Sequence, residues 1–275
     1  HPSNIYITTS DAHTLLDGPT IFLADDIEKI SKFCIQEAKI PDSVANNIME
    51  AIRYNGVISK KITDLQKLYE DGTKEDECKE KKMADGRVNN NMKHLMKQIN
   101  ELQTYVKSIS LNPMFVPNTK AHQERFVSKT ISKKGIPFTC DISENVVEHI
   151  MLIDDVDDEW KLLLLMGIGV FTSHKSVKYS EVMKELAEQQ KLYIIIASSD
   201  YIYGTNYQFC HGYISKDMQS MSQEKCIQAL GRIGRNNIQQ NYSVRFRDNT
   251  LIHKLFYEEA NKPEVMNMAY LFNSN

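Results

Sequence analysis

A chain of 275 residues is long enough for one large domain or two small ones with a substantial core. Hydrophobic residues make up 41% and charged residues 25%, the balance of an ordinary globular protein. A formal net charge of −3 excludes coating of nucleic acid by bulk charge, while leaving room for a local basic groove. The five cysteines (Cys34, Cys78, Cys140, Cys210, Cys226) are odd in number, widely spaced and without a CxxC pair. That argues against a disulfide framework and an ordinary zinc site, and for a reducing, intracellular compartment, cytoplasmic or nuclear. The longest apolar run, near Leu162 to Val170, is about half of a membrane span, so no transmembrane helix and no membrane partner are expected. The chain begins with His1 rather than Met, which raises the expectation of a fragment with a partner domain upstream.

In chain order, "NIYITT" reads as a short strand, "LDGP" as turn chemistry and "TIFLA" (20–24) as a compact apolar strand of the kind buried in a parallel sheet. "DDIEKISKFCIQEA" then places Ile27, Ile30, Phe33, Cys34 and Ala38 on one helical face, with Asp25 or Asp26 as cap and Pro41 as terminator. Residues 1–45 are assigned to the first part of an α/β lobe. Residues 46–150 are assigned to a mainly helical insertion, because Ile48, Ile52, Ile62, Leu65 and Leu68 keep helical spacing. Met92, Leu95, Ile99, Leu102, Val106 and Ile109 do so again. The polar, glycine-bearing stretch between them reads as the tip of a helical hairpin, and "LNPMFVPNTKAHQERF" as loops returning to the lobe.

Residues 151–275 resume the alternation. "GVFTS", "LYIIIAS", "HGYIS" and "YSVRF" read as strands. "YSEVMKELAEQQ" (opened by Ser180), "SQEKCIQAL" and "TLIHKLFYEEA" read as helices. Strands alternating with helices of this length predict an open parallel sheet with helices on both faces. Ligands of such sheets bind beyond the carboxyl ends of the strands, so the loops after Ala197 and after Leu230 are expected there.

Only seven of the 33 basic residues are arginines, yet Arg232, Arg235, Arg245 and Arg247 fall together. The first two stand in "CIQALGRIGRNN", where Gln228, Gly231, Arg232, Gly234 and Arg235 spell Q-x-x-G-R-x-G-R. Glycines allow close approach to a ligand, and the planar guanidinium matches phosphate oxygens bidentately at any working pH. One strand and one helix earlier, "ASSDYIYGTN" offers Ser198, Ser199, Asp200, Gly204 and Asn206 at a strand end. No Gly-Lys dipeptide occurs anywhere, so the chain has no phosphate loop. "IMLIDD" (150–155) is read as an acidic turn rather than a magnesium-binding strand end.

These segments resemble the second, carboxyl-terminal RecA-like lobe of superfamily-two helicases of the DExD/H type. Q-x-x-G-R-x-G-R is similar to motif six, "ASSDYIYGTN" to motif five and "PTIFLADD" to motif four. The layout of residues 167–198 is similar to the Ski-type DExH group. The resemblance implies a RecA-like fold interrupted by the helical insertion, and an ATP-dependent helicase activity that needs more than these residues. ATP and Mg2+ would be held mainly by a first lobe in the same parent chain. Arg235 and Arg232 would be arginine fingers, and Gln228 a nucleotide sensor. Gly204 and Asn206 would lie near ribose and phosphates, beside the glycines Gly231 and Gly234. Ser198, Ser199 and Asp200, with Ser173, His174 and Lys175, would contact the backbone of an RNA or DNA single strand. Two alternatives stay open: a degenerate lobe acting as a nucleic-acid or protein scaffold, and an unrelated α/β transferase whose arginines bind a phosphate.

Overall fold

The computed structural model describes residues 20–79, 86–116, 119–126, 142–171, 176–189, 191–199, 209–234 and 243–256. The first strand-like run, "NIYITT", and the "LDGP" turn lie outside them. The architecture is α/β, built on a five-stranded, wholly parallel sheet. The strands are β1 (Thr20–Leu23), β2 (Ile168–Phe171), β3 (Ile194–Ala197), β4 (His211–Ile214) and β5 (Ser243–Phe246), in the spatial order β2-β3-β1-β4-β5. Burial on both faces explains why β1 and β3 read as unbroken apolar runs rather than alternating ones.

The register sorts each strand's residues by face. Gly169, Ile195, Ile21, Gly212 and Val244 form one row across the sheet, and Val170, Ile196, Phe22, Tyr213 and Arg245 form the next, pointing the opposite way. A side chain at Gly169 would meet Met183 of α7 (Val177–Glu188), and one at Gly212 would meet Ile233, which follows α8 (Gln223–Leu230). Right-handed crossovers require the same arrangement. The link from β1 to β2 moves one way along the sheet and carries α1 (Ile27–Glu37). The links through α7 and α8 move the other way and occupy the opposite face.

Local chemistry fixes the element ends. Asp26 caps α1 by accepting from Lys29 N. The carbonyl of Pro41 accepts from the amides of Val44 and Ala45, so this proline also opens α2 (Asp42–Lys79). Helix α7 begins earlier than "YSEVMKELAEQQ" suggests. Ser176, not Ser180, is its cap and accepts from Tyr179 N, while the Ser180 hydroxyl donates back to the Ser176 carbonyl. The stretch expected to be plain loop holds a 3-10 turn at Pro113–Phe115 and the short helix α4 (Lys120–Phe126). Asn112 caps the turn and Thr119 accepts from His122 N, both being short-range side-chain bonds with weak periodic signal.

Helix α2 is 38 residues, about 57 Å at 1.5 Å per residue. It pairs with α3 (Gly86–Thr104) as an antiparallel hairpin, as the spacing predicts. Ile58, Ile62 and Ile99 are buried in its seam, and Leu65, Leu102 and Val106 flank them. At the hairpin's base the fully buried Asn55 closes a two-way amide clasp with Lys107, accepting from its N–H at 2.8 Å and donating to its carbonyl at 2.9 Å.

The acidic turn between α5 (Glu144–Met151) and α6 (Asp158–Leu165) joins the hairpin to the sheet layers. Asp154 accepts from Thr63 of α2 at 2.8 Å and pairs with Lys178 of α7 at 3.2 Å. Asp155 accepts from the capping hydroxyl of Ser176 at 2.5 Å, and the Leu152 carbonyl accepts from Ser59. The residues "IMLIDD" are thus the end of a helix and a turn, not a strand end. Burial raises the Asp154 carboxyl, but the Thr63 hydroxyl and the Lys178 ammonium outweigh it and hold its pKa below the ordinary value. Lys161 is 2% exposed with its Nζ 3.8 Å from Asp158. Burial lowers its pKa against the opposing pull of Asp158, Asp154 and Asp155.

Two outcomes should follow. Asn55→Leu removes both partners of the part-buried Lys107 N–H and carbonyl and should destabilise by about 1 kcal/mol in urea unfolding. Asp154→Asn should cost about 1 kcal/mol at pH 7. Because the folded carboxyl titrates below the unfolded one, that stabilisation exists above the ordinary carboxylate value of about 3.9. It is lost as the pH falls through and below it, so wild-type and variant melting curves should converge in acid.

Candidate functional site

The chain leaves β4 through a 3-10 turn (Lys216–Ser220) and returns along α8, so the end of α8 lies back at the amino edge of the sheet. There it pairs again. Ile233 forms a parallel bridge with Phe209, the Phe209 amide donates to the Arg232 carbonyl at 3.0 Å, and the Gly234 amide donates to the Phe209 carbonyl at 2.8 Å. The loop after Leu230, expected at the carboxyl edge, therefore stands at the opposite one. The physical reason is simple: a helix that follows a strand runs antiparallel to it and ends where the strand began.

The two glycines of the described turn differ. Gly231 terminates α8 with φ −64, a conformation open to any residue, and its amide donates to the Ile227 carbonyl at 2.8 Å. Gly234 has φ 81, the left-handed region in which a β-carbon is strained. Between them Arg232 is half-buried and Ile233 turns inward. On the last turn of α8, Gln228 is exposed beside Ile227, which is 54% exposed.

Ser198 and Ser199 belong to the other end. The Ser198 amide donates to the Phe171 carbonyl at 3.4 Å, extending the ladder one residue past β3. Matching bonds from Ala24, Ser215 and Arg247 complete that carboxyl edge. The two edges are about 13 Å apart, four residues of strand at roughly 3.3 Å each. At the carboxyl edge the start of α1 is already taken by an anion, since the Asp217 carboxylate accepts from the Asp26 amide at 3.0 Å. Ser173, His174, Lys175, Asp200, Gly204, Asn206 and Arg235 lie outside the described residues.

The cluster of arginines is thus not one site. Arg232 is at the amino edge. Arg245 lies on the outer strand β5, where its Nη1 donates to Tyr213 Oη at 2.9 Å and its guanidinium lies 5.9 Å from the ring centroid. Tyr213 in turn stacks on Phe22 at 5.8 Å and 8°. Arg247 is exposed at the carboxyl edge, in line with Ser198. Sequence reasoning did not assign Arg247, nor Gly212, whose missing side chain makes room for Ile233. An isolated glycine inside "HGYIS" was the available signal, because glycine in a strand often marks a close approach.

Among the described residues no group of three or more His, Cys, Asp or Glu side chains is arranged to hold a metal ion, and no helix is long and apolar enough to cross a membrane. The chain matches no protein-family model, and no curated protein matches it.

The contrast between the glycines is testable. Gly234→Ala should destabilise by about 1 kcal/mol from backbone strain, whereas Gly231→Ala carries no such conformational cost, as thermal melts of the two variants would report.

Proposed function

We propose that this chain is the second motor lobe of an ATP-dependent nucleic-acid helicase or translocase. The observation that carries the reading is the Phe209–Ile233 bridge. It holds the end of the Gln228–Gly234 segment beside Phe209, which stands three residues after Asn206 in the sequence. The bridge thus sets the stretch that resembles motif six against Phe209, while Ser198 and Ser199, which open the stretch that resembles motif five, stand at the carboxyl edge. On this reading the amino edge faces a triphosphate carried by a first lobe, and the carboxyl edge follows the phosphates of a single strand of RNA or DNA.

The residues present fit such a triphosphate in part. Arg232 supplies a guanidinium fork at the edge, exposed Gln228 can meet a base or phosphate, and each amide of the turn from Gly231 to Gly234 donates a backbone hydrogen bond. Nothing in the sequence supplies a phosphate loop, and none of the described carboxylates clusters for Mg2+. ATP would bring the phosphoryl group to be cleaved, and this chain's part would be to place positive charge against it. Arg235 and Arg232 would stabilise charge that builds on the phosphoryl oxygens as the two lobes close, an effect worth on the order of a thousandfold in rate. At the far edge, Ser198, Ser199 and Arg247 would meet strand phosphates without reading bases, and the resemblance alone assigns Ser173, His174, Lys175 and Asp200, outside the described residues, to the same strand. The acidic start of α1 restricts that path to the ends of β3 and β5.

The test is Arg235→Lys in a chain that includes the first lobe. Lysine keeps the charge and loses the fork, so steady-state ATP hydrolysis at saturating oligo(U) or oligo(dT) should drop at least about a hundredfold, with an unchanged melt. Residues 1–275 alone should show no turnover above background. Near-parental hydrolysis by a normally melting Arg235 variant would sink the assignment.

A further inference from the structure

We infer that Ile233, seated in the notch that Gly212 leaves in β4, is a positioning residue that fixes the direction in which Arg232 leaves the sheet. The inference rests on the proposed motor function and deepens it, by naming what holds the arginine turn in place.

The turn is only four residues long, with a glycine at each end, and its usefulness depends on rigidity. Backbone bonds restrain it along the strand direction: Arg232 O and Gly234 N are both engaged by Phe209, and the amides of Arg232 and Ile233 reach back to the Ala229 and Leu230 carbonyls. None of these bonds fixes how the turn tilts over the face of the sheet. Ile233 does. A β-carbon added at Gly212 would collide with Ile233 Cδ1, and it would lie 3.4 Å from Ile233 Cγ1 and 3.8 Å from Ile21 Cγ2. Ile233 therefore fills a slot that exists only because residue 212 has no side chain, with Ile21 of the central strand as a neighbour. Gly212 is buried in the middle of β4, flanked by β1 and β5, so the slot is cut into a wall that cannot shift. A β-branched side chain in such a slot has a single strongly preferred rotamer and transmits the wall's position to the backbone on either side. A guanidinium that stabilises transferring phosphoryl is effective only over a narrow range of positions, and a displacement of about 1 Å can cost on the order of a hundredfold in rate.

The experiment is made in the chain that includes the first lobe, with Arg235→Lys as reference. Gly212→Ala pushes Ile233 out of its slot, and Ile233→Ala empties it. Each should lower kcat for ATP at least about tenfold, with KM for ATP within about threefold of the parent, because the loss falls on the transition state rather than on binding. Oligo(dT) or oligo(U) affinity without nucleotide should be unchanged, since the strand edge is remote. The decisive variant is Gly212→Ala combined with Ile233→Val. Valine lacks the Cδ1 atom that meets the new methyl, so the pair should return kcat to within about threefold of the parent. If Gly212→Ala does not fold, Ile233→Ala carries the same test. Parental kcat in folded Gly212→Ala or Ile233→Ala, with Arg235→Lys slow, overturns the positioning role and leaves the motor reading intact. Failure of the double variant to recover, although it melts like the parent, also overturns it. Parental kcat in Arg235→Lys takes down both.

Discussion

Everything in this fold depends on β1. Thr20–Leu23 is the central strand of the sheet, and both of its hydrogen-bonded neighbours, Ile194–Ala197 and His211–Ile214, lie more than 160 residues further along the chain. A four-residue strand buried on both faces has no means of satisfying its backbone amides and carbonyls except through those partners. The sheet therefore cannot close until the long excursion through α1 to α6 has brought β2, β3 and β4 back around it. Contacts of such sequence separation make folding slow and cooperative, and they leave the core indifferent to the length of what is carried between β1 and β2. That indifference is why a hairpin tens of ångströms long can be accommodated there.

What the hairpin does need is attachment, and the acidic turn provides it. The run of aspartates at 154, 155, 157 and 158 would be an unfavourable concentration of like charge on an isolated turn. In place, Asp154 binds across to α2 and α7, Asp155 holds the cap of α7, and Asp158 accompanies a lysine that is buried among them. Buried Lys161 and the aspartates make sense only together: the lysine relieves the repulsion of the carboxylates, and the carboxylates offset the burial of the ammonium. Asn55 repeats the logic without charge at the hairpin's base, where a single buried amide satisfies both backbone groups of Lys107.

Chemistry at the two edges of the sheet follows from the same geometry. Because every strand runs the same way, the chain must cross the whole sheet between successive strands. Residues close in sequence, such as Arg232 and Arg247, therefore end at opposite edges, while Phe209 and Ile233, 24 positions apart, become neighbours. One edge bears the arginine turn and the other bears serines and an exposed arginine, and the proposed motor function assigns the first to nucleotide and the second to the strand. Arg245 belongs to neither, being held against Tyr213 on a face of the sheet, partway along the outer strand β5.

Local pattern alone determined a good deal of this protein: the five apolar strands near their observed positions, the amphipathic helices α1, α2, α3, α7 and α8, the Asp26 cap and the Gln-x-x-Gly-Arg-x-Gly-Arg signature. These are legible because periods of two and 3.6 residues and short-range caps are properties of neighbouring residues. The short elements from Pro113 to Phe126 escaped notice, and the cap of α7 was misplaced by four residues, because capping serines and asparagines look alike until the backbone chooses between them. Strand order, the edge at which the arginine turn stands, the parting of Arg232, Arg245 and Arg247, and the seat of Ile233 over Gly212 were decided only by the tertiary structure. No local pattern encodes them, since each depends on which apolar surfaces, distant in sequence, can be buried against one another without leaving a polar group behind.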